Sequence, residues 1–597
     1  MHPVAIIGGG PVGLIMSIAL SKNNIPHILF EKHESTSIHP KALGLNQRTV
    51  EYLRSLGLEE EIRKAAAPPE SVSQTAWYTS LGPEGKEILS RDAWGGGQYA
   101  EEYARASPCR YTMLPQIRLE PILHRQAKLL NPSGIVNNAR VVRVEEKPDY
   151  VVLYVERDND PGVLRTYQAR YVVAADGGRM VADALGIKAH GDRDFVDMVS
   201  AYIQAPISEH HPNPHALITW FVDPKMGGSI NTGFLYHLGP YQTEEAEEWM
   251  FACALSPSES RKFDEKAMIE RLHRTLKIPG LKVEIKSISH WQVTAIVAER
   301  FRSQGGRIFL VGDAAHRIPP WGALGLNTGI QDVQNLVWKL SMVIKKRYSD
   351  KDAAYDKLLD TYEKERQPIA QQVARTSLTN LRSHGLAMDR ALGILPDARP
   401  EDNDKSLKAF LDKTNPQGDH LRDAVVKAQA VLDSEFHAPG AEVGWFYPSL
   451  DVKDEGAESR HGGQLKENGA FDVVNYHPSA IPGHHLPHVW LRQWSEAFST
   501  RDLLMRERFL LLAAANETWA TVESSLVSVA IVRTMVNLWD DAIIEEWKKL
   551  NGVGEDGAVL VRPDGIVLYR FQDFQPITTE FITDLLGIAP VTVKHNL

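Results

Sequence analysis

The sequence predicts an α/β protein of several domains, in which a parallel-sheet nucleotide-binding domain is interleaved with a mixed-sheet domain and followed by a small α/β domain. Three observations predict it. The chain opens on a strand, a glycine-rich turn and a helix, with Val4–Ile7 running into Gly8-Gly9-Gly10-Pro11-Val12-Gly13. A second glycine-rich turn, Gly312 to Gly329, again lies between a buried-strand pattern (Arg307 to Val311) and a helical one (Val333 to Lys345). The last part of the chain changes to short strand-like runs around the hairpin turn Pro563-Asp564-Gly565.

Taken in order, Val4–Ile7, the helix Pro11–Lys22 and the strand Ile28–Glu31 form a βαβ beginning. A helix follows from Asn46 to Leu56 and is ended by Gly57; Pro68 to Tyr103 reads as an irregular excursion rich in Gly, Trp and Tyr. Arg118–Leu130 is a predicted helix, Ile135–Val144 and Tyr150–Arg157 are predicted strands, and Tyr171–Ala175 is a strand running into Asp176-Gly177-Gly178. Ala216–Val222 and Ile230–Leu238 flank a turn at Asp223 to Gly228 and predict a hairpin. Ala246–Ala254 and Glu265–Leu276 read as helices beside it. A long helical pattern ends near Leu392, and Pro396–Asp404 and Asn415–Asp419 look like linkers. In the tail, Phe509–Ala515, Leu526–Arg533, Ala558–Arg562 and Ile566–Tyr569 read as strands, and Thr578–Leu586 as a helix.

A chain of 597 residues with 43% hydrophobic and 24% charged residues is long enough for two to four globular domains. A net charge of −10 without a long basic run argues against nucleic acid, and no apolar stretch reaches the ~20 residues of a membrane span. Two cysteines, Cys109 and Cys253, exclude a disulfide framework or a cysteine-rich metal site. The first apolar segment turns directly into glycines and has no basic leader, so a cytoplasmic location is expected.

The first turn fits G-x-G-x-x-G between strand and helix. There Gly8 makes the turn, Gly10 lets a pyrophosphate approach the backbone with Pro11 and Val12 opening the helix, and Gly13 allows close packing. Glu31 at the end of the next strand is placed to accept from both ribose hydroxyls, which favours FAD or NAD over NADP. Asp176 and Asp313, each just past a strand, are further acids for a ribose or ribityl chain. A simple NAD dehydrogenase needs neither, so one large cofactor, FAD, is expected.

With these motifs the chain resembles the single-component FAD-dependent aromatic hydroxylases, the group with the para-hydroxybenzoate hydroxylase fold. The resemblance extends through His39-Pro40-Lys41-Ala42, Gln47-Arg48-Thr49, Leu114-Pro115-Gln116, Pro319-Pro320, Gly325 to Gly329 and Tyr362 to Arg366. Pro482 to His488 and Leu560 to Gly565 narrow it to the branch of phenol hydroxylase and 2,4-dichlorophenol hydroxylase. It implies a Rossmann-like FAD-binding domain (1–78, 104–190 and 290–395), a mixed-sheet substrate domain (79–103 and 191–289), a linker (396–440) and a thioredoxin-like C-terminal domain (441–597). Both cysteines lie outside that tail, so dithiol chemistry is not expected of it, and a homodimer is.

The resemblance also implies site roles. Glu31 would hold the adenosine ribose, Lys41 and Gln116 would lie near the pyrophosphate and ribityl, Asp313 would hold the ribityl chain, and Pro320 would edge the substrate cavity. The backbone of Gly325, Leu326 and Asn327 would face the flavin, whose reduced anion the helix N-terminus stabilises. The implied reaction uses NAD(P)H and dioxygen to hydroxylate a phenolic or polyketide-derived aromatic through a flavin hydroperoxide. Alternatives on the same scaffold are Baeyer–Villiger oxygen insertion, a flavin halogenase, against which His290-Trp291-Gln292-Val293 lacks the expected motif, and a non-catalytic flavoprotein.

Several positions depart from the family pattern. Met180 and Asp183 replace a Ser and an Arg, and Lys41 replaces an Arg, keeping the charge and losing the bidentate fork. Leu43 stands where phenol hydroxylase has an acid, so a base for the phenol proton must come from elsewhere. The hairpin face bearing Thr219, Phe221, Leu235 and His237 is the first candidate, with His237 as the base. Tyr236 points the other way unless a bulge exchanges them. His290 and His215 are lesser candidates, and His316 is expected to bind its own loop. Trp220, Phe221, Leu235, Leu43 and Trp321 are expected to line the pocket, with Trp321 limiting or orienting the substrate. No metal is expected at His484, His485 and His488, which have no acid or cysteine beside them.

Overall fold

The computed structural model describes residues 1–178, 180–193, 196–241, 247–256, 259, 263–345, 352–447, 461–493, 496–514, 518–519, 521–522, 526, 530–534 and 541–587. Its first sheet runs in the order Ile135–Val136, His27–Phe30, His2–Ile7, Asp160–Ala174, Val151–Arg157, Ala139–Glu146, with Ile308–Leu310 also paired to Asp160–Ala174. His27–Phe30, His2–Ile7, the end of Asp160–Ala174 and Ile308–Leu310 are mutually parallel. Val4, Ala5 and Ile6 are wholly buried because helices cover the sheet, as the unbroken apolar run of the opening strand requires. The helix Pro11–Lys22 packs against Gln116–Leu130 and Gly325–Ile344.

The second sheet has seven strands in the order Glu284–Gln292, Asp197–Gln204, Glu248–Leu255, Phe234–Gly239, Ala216–Phe221, Gln74–Tyr78, Glu87–Asp92. Three expectations are corrected here. Glu248–Leu255 is a strand, whereas Ala246–Ala254 reads as a helix; residue 246 lies outside the described residues. The strand is central, burying Phe251 and Cys253 on one face and Ala252 and Ala254 on the other, and a run apolar on both faces carries no period to tell strand from helix. The predicted excursion contains regular strands, and Gln74–Tyr78, assigned above to the nucleotide domain, pairs with Ala216–Phe221. The hairpin turn holds a helical turn, Ser229–Thr232, so its second strand starts at Phe234 and not Ile230.

The segment expected as a linker is folded. Helices Pro400–Leu411 and Asp419–Val431 put Leu407, Phe410, Leu421 and Val425 into the core beneath the second sheet, together with Trp77 and Trp220. The C-terminal unit is a four-stranded sheet, Ala530–Thr534, Phe509–Ala513, Ala558–Val561, Val567–Phe571, with helices Asp541–Asn551 and Thr579–Leu585. Its strand at Ala530 begins later than predicted, since Leu526 is helical. Trp338 and Met342, from the helix Gly325–Ile344, enter the core of this unit beside Phe509. Among the described residues no helix is long and apolar enough to cross a membrane.

Candidate functional site

The parallel strands end along one edge of the first sheet and deliver Gly8, Glu31, Asp176 and Gly312 to it, the edge where α/β sheets bind ligands. The four glycines of the first turn have different reasons to be glycine. Gly8 has φ +107°, and a Cβ there would strike the Ala175 carbonyl; one on Gly13 would strike the Gly8 carbonyl. A Cβ on Gly9 would meet the Glu31 side chain at 2.8 Å. One on Gly10 would meet nothing within 4 Å, so that face is open for a ligand. Val12 fills the gap to the second turn, its methyls lying 3.1 and 2.9 Å from where Cβ atoms of Gly312 and Gly329 would be.

The carboxylate of Glu31 accepts from Gly9 N–H (2.6 Å) and His33 N–H (2.9 Å) at the mouth of the edge. Asp176 accepts from the N–H groups of Gly178, Met180 and Val181 (3.0, 2.9 and 3.0 Å), so its carboxylate shapes the Asp-Gly turn. Arg317 donates to the carbonyls of Gly177 and Gly178, closing this turn onto the second one. Asp313 is exposed and has no partner among the described residues. Gln116 fastens the loop before it, accepting from Ala42 N–H (3.4 Å) and donating to Glu120, while Lys41 is exposed.

Beneath the second turn lies a buried ionic knot. Asp332 accepts from Gly312 N–H (3.1 Å), His316 Nε2 (2.7 Å) and Arg366 Nε (2.8 Å), and Arg366 also donates to Thr328 O (3.1 Å). Burial alone would raise the Asp332 carboxyl, but His316 and Arg366 outweigh it and hold it below the ordinary carboxylate range. His316 therefore fixes the loop.

The helix Gly325–Ile344 starts at the site, leaving its first N–H groups without intrahelical acceptors. Its Asn327 side chain turns inward, accepting from Asn46 N–H (2.9 Å) and donating to Gly44 O (3.0 Å) and Ala323 O (2.7 Å).

The second sheet turns one face toward this turn. Trp77, Trp220 and Phe234 share a cluster with Met113 and Trp321, against which Leu43, Tyr111 and Tyr236 pack. Phe234 lies 4.5 Å from Trp220 and 6.5 Å from Trp321 between ring centroids. The His384 ring lies 3.9 Å from that of Trp220, tilted against it, and is tied through Nδ1 to Glu435 (3.0 Å), which fixes the wall from behind.

Here the hairpin reading is corrected. Phe221 and Leu235 are buried on the opposite face, in the cluster with Trp249, Phe251 and the helix Glu265–Leu276. His237 stacks on Trp249 of that cluster at 4.4 Å, and burial with the Arg118 charge lowers it to about 4. Thr219 likewise bonds to His211 (2.7 Å). One residue of phase separates the two faces, so the inner set is Trp220, Phe234 and Tyr236. His290 is exposed on the edge strand Glu284–Gln292, and His215 bonds to Glu70 O (2.6 Å). His484 stacks on Phe446 (4.4 Å) and His488 bonds to Ser499 (2.7 Å). Among the described residues no group of three His, Cys, Asp or Glu is placed to hold a metal.

Sequence reasoning missed Tyr111, whose ring packs against the aromatic cluster. Tyr111 lies beside Gly44 through the pairing Gly44↔Met113, Leu45↔Thr112, a two-residue ladder with no local sequence signal.

Comparison with known proteins agrees with this arrangement. Residues 1–377 match the family model described as FAD binding domain, and residues 479–587 that of the aromatic-ring hydroxylase C-terminal domain. A putative polyketide hydroxylase of Streptomyces halstedii is 30% identical, covering 96% of this chain and 94% of that protein. A phenol 2-monooxygenase of Pseudomonas sp. (strain EST1001) is 29% identical over 100% of this chain and 94% of that one. The solved structure of the flavin-dependent monooxygenase PieE with FAD and substrate superposes with a TM-score of 0.86 at 29% identity, covering 98% of both chains. An open Gly10, an unspent Asp313 and a free helix N-terminus along one sheet edge suit an extended dinucleotide, and with the matches over both ends the chain belongs to the FAD-binding aromatic-ring hydroxylases, as an FAD-dependent monooxygenase.

Proposed function

We propose that the substrate is a phenolic or polyketide-derived aromatic compound, hydroxylated on its ring with NAD(P)H as reductant and dioxygen as oxygen source. The observation that carries this reading is the meeting of the flavin turn with an aromatic wall at Trp321, which packs with Phe234, Trp220 and Trp77 on the inner face of the second sheet. Such a wall takes a flat ring by stacking and excludes water from the reaction. The polyketide and phenol hydroxylases among the relatives support the substrate class.

Bound FAD supplies the hydride acceptor and the oxygen-activating centre. Around it, Gly8, Gly10, Pro11, Val12 and Gly13 shape the pyrophosphate cradle. Glu31 takes the adenosine ribose, Lys41 and Gln116 approach the pyrophosphate and ribityl, and Asp313 takes the ribityl hydroxyls. Asp176 acts through the turn it caps. The N–H groups of Gly325, Leu326 and Asn327 face the pyrimidine edge, where a helix N-terminus favours negative charge. Pro320, Trp321 and Leu43 border the substrate ring.

The test is to purify the protein, measure FAD content from its visible spectrum, and follow NADH and NADPH oxidation with a panel of phenols under ¹⁸O₂. A product carrying one ¹⁸O on the ring is expected. Oxidation of NAD(P)H that no phenol stimulates, with no labelled product, refutes the reading.

A further inference from the structure

We propose that His384 receives the substrate's phenolic proton on Nε2, with Glu435 behind the ring as its positioning residue. This rests on the phenolic substrate proposed above. Ring hydroxylation needs the phenol deprotonated, yet Leu43 is aliphatic and His237 lies on the outer face of the sheet. Tyr111 and Tyr236 pack against the inner cluster, but burial raises both phenols, so neither is ionised to take a proton.

His384 differs in what its ring touches. Trp220 lies 3.9 Å away, Trp77 5.8 Å and Phe436 6.3 Å between ring centroids, and all three belong to the cluster that holds Phe234 and Trp321. Its Nδ1 lies 3.0 Å from Glu435 Oε2, in a pair whose side chains are 0% and 4% exposed. A carboxylate only accepts, so Nδ1 carries the hydrogen and Nε2 turns its lone pair to the other side of the ring. That Nε2 is buried and has no partner among the described residues. Buried acceptors are normally filled, and a phenolic O–H fills this one.

The helix that carries His384 leads away from the second glycine-rich turn. Asn380, one turn earlier, donates to Trp321 O (3.5 Å) and would stand 2.9 Å from a Cβ on Gly322. His384 therefore lies about 6 Å further along the helix axis, a span that one aromatic substrate can bridge. At this residue the α-helix Asp352–Ser383 widens into a π-helix, His384–Asp389, a rare form that recurs at functional sites. The far end of the π-helix is pinned, because Asp389 accepts from the N–H (3.0 Å) and the hydroxyl (3.1 Å) of Ser229. Glu435 fixes the ring, and Asp389 fixes the turn that carries it.

The step is a proton transfer with no redox change. The substrate O–H bond breaks and an Nε2–H bond forms, leaving a phenolate opposite an imidazolium whose other nitrogen faces the Glu435 carboxylate. The charged groups facing His384 are Glu435 on the helix Asp433–Phe436 and Asp389 on its own helix. From the sheet it meets Trp77 and Trp220, and Arg91, beyond Phe436, is engaged by Asp433. His384 must be neutral to accept, so the transfer is lost as pH falls and the ring becomes charged.

The experiment uses the FAD-loaded, oxidised protein with 4-nitrophenol, whose visible absorbance reports its ionisation without turnover, and the pH profile of kcat with the best phenol of the panel. In His384→Gln the ionisation midpoint of the bound probe is expected to rise by about one unit or more, kcat to fall about a hundredfold and its acid limb to flatten. FAD content and flavin spectrum should stay unchanged. In Glu435→Gln the imidazolium loses its counter-charge, so the acid limb should move to lower pH by about one unit while kcat falls. Parent-like midpoint and pH profile in a His384→Gln protein that holds FAD overturn the proposal. If that variant does not fold, an unmoved acid limb in Glu435→Gln overturns it. A parent protein that hydroxylates no phenol refutes the functional reading instead.

Discussion

Asp332→Asn tests whether the second glycine-rich turn is held by the ionic knot beneath it. The change removes the charge facing Arg366 and puts an amide where a carboxylate accepted from Gly312 N–H and His316. If the amide oxygen stays toward Arg366, its nitrogen faces two donors, an unmade contact of about 1–3 kcal/mol. The Arg366 guanidinium keeps that amide oxygen, Thr328 O, a 3.5 Å contact to Tyr447 and the Trp445 ring 5.0 Å away, but it loses the carboxylate charge of Asp332 in a site without solvent. Breaking a buried pair from one side costs about 3–5 kcal/mol, which sets the expected loss. Urea unfolding of the apoprotein, followed by far-UV circular dichroism, measures it. FAD at a hundredfold excess over Kd should restore about 2.7 kcal/mol, because it binds only the folded turn. An Asp332→Asn apoprotein within about 1 kcal/mol of the parent would refute the reasoning.

Gly10→Val and Gly13→Val should separate cofactor space from packing. The first should leave apoprotein stability within about 0.5 kcal/mol and weaken FAD binding, whereas the second, forced against the Gly8 carbonyl, should lower the apoprotein's melting temperature. Trp321→Ala should widen the accepted phenols and lower coupling of NAD(P)H oxidation to product; an unchanged substrate range, affinity and turnover defeats the role given to Trp321. At Glu365, burial raises the carboxyl, but Arg562 and Lys339 outweigh it and bring it to about 2, below its ordinary 4.5. A depressed acid stabilises the fold above its unfolded value, so that share should fade as pH falls from about 4.5 toward 2, and Glu365→Gln should flatten this limb of the acid-unfolding curve.

The glycine motif was legible because its spacing is local: Gly8, Gly10 and Gly13 belong to a single turn and Glu31 to the strand beside it, although the Ala175 carbonyl that crowds Gly8 comes from a distant strand. The substrate face was not. Thr219, Phe221, Leu235 and His237 do share one face, as the alternation says, but it is the outer one, while Trp220 lies on the inner face with Phe234. In a strand buried on both sides, hydrophobicity does not say which face is which. Glu248–Leu255 failed for the same reason. Tyr111 reaches the aromatic wall through the ladder Gly44↔Met113, Leu45↔Thr112, which joins segments far apart in sequence. The helices in 400–431, read as linkers, find a core for their apolar residues only by docking beneath the second sheet.

The C-terminal unit contributes in a way that its lack of cysteines leaves open. Arg562, at the end of one of its strands, donates to both oxygens of Glu365 (2.7 and 2.9 Å), and the same carboxylate accepts from Lys339 and Asn335 on the helix Gly325–Ile344. The next residue, Arg366, turns the other way to Asp332 and Thr328 at the start of that helix. Consecutive residues of one helix thus couple the C-terminal unit to the second glycine-rich turn. Trp338 adds an apolar anchor, buried in the core of the C-terminal unit with the Arg562 guanidinium 5.1 Å from its ring. Ions buried this deeply give little net stability but fix geometry strictly, because each is tolerated only in register with its partners. The C-terminal unit is therefore a brace for the helix Gly325–Ile344, fixing its pitch through Glu365 and Trp338.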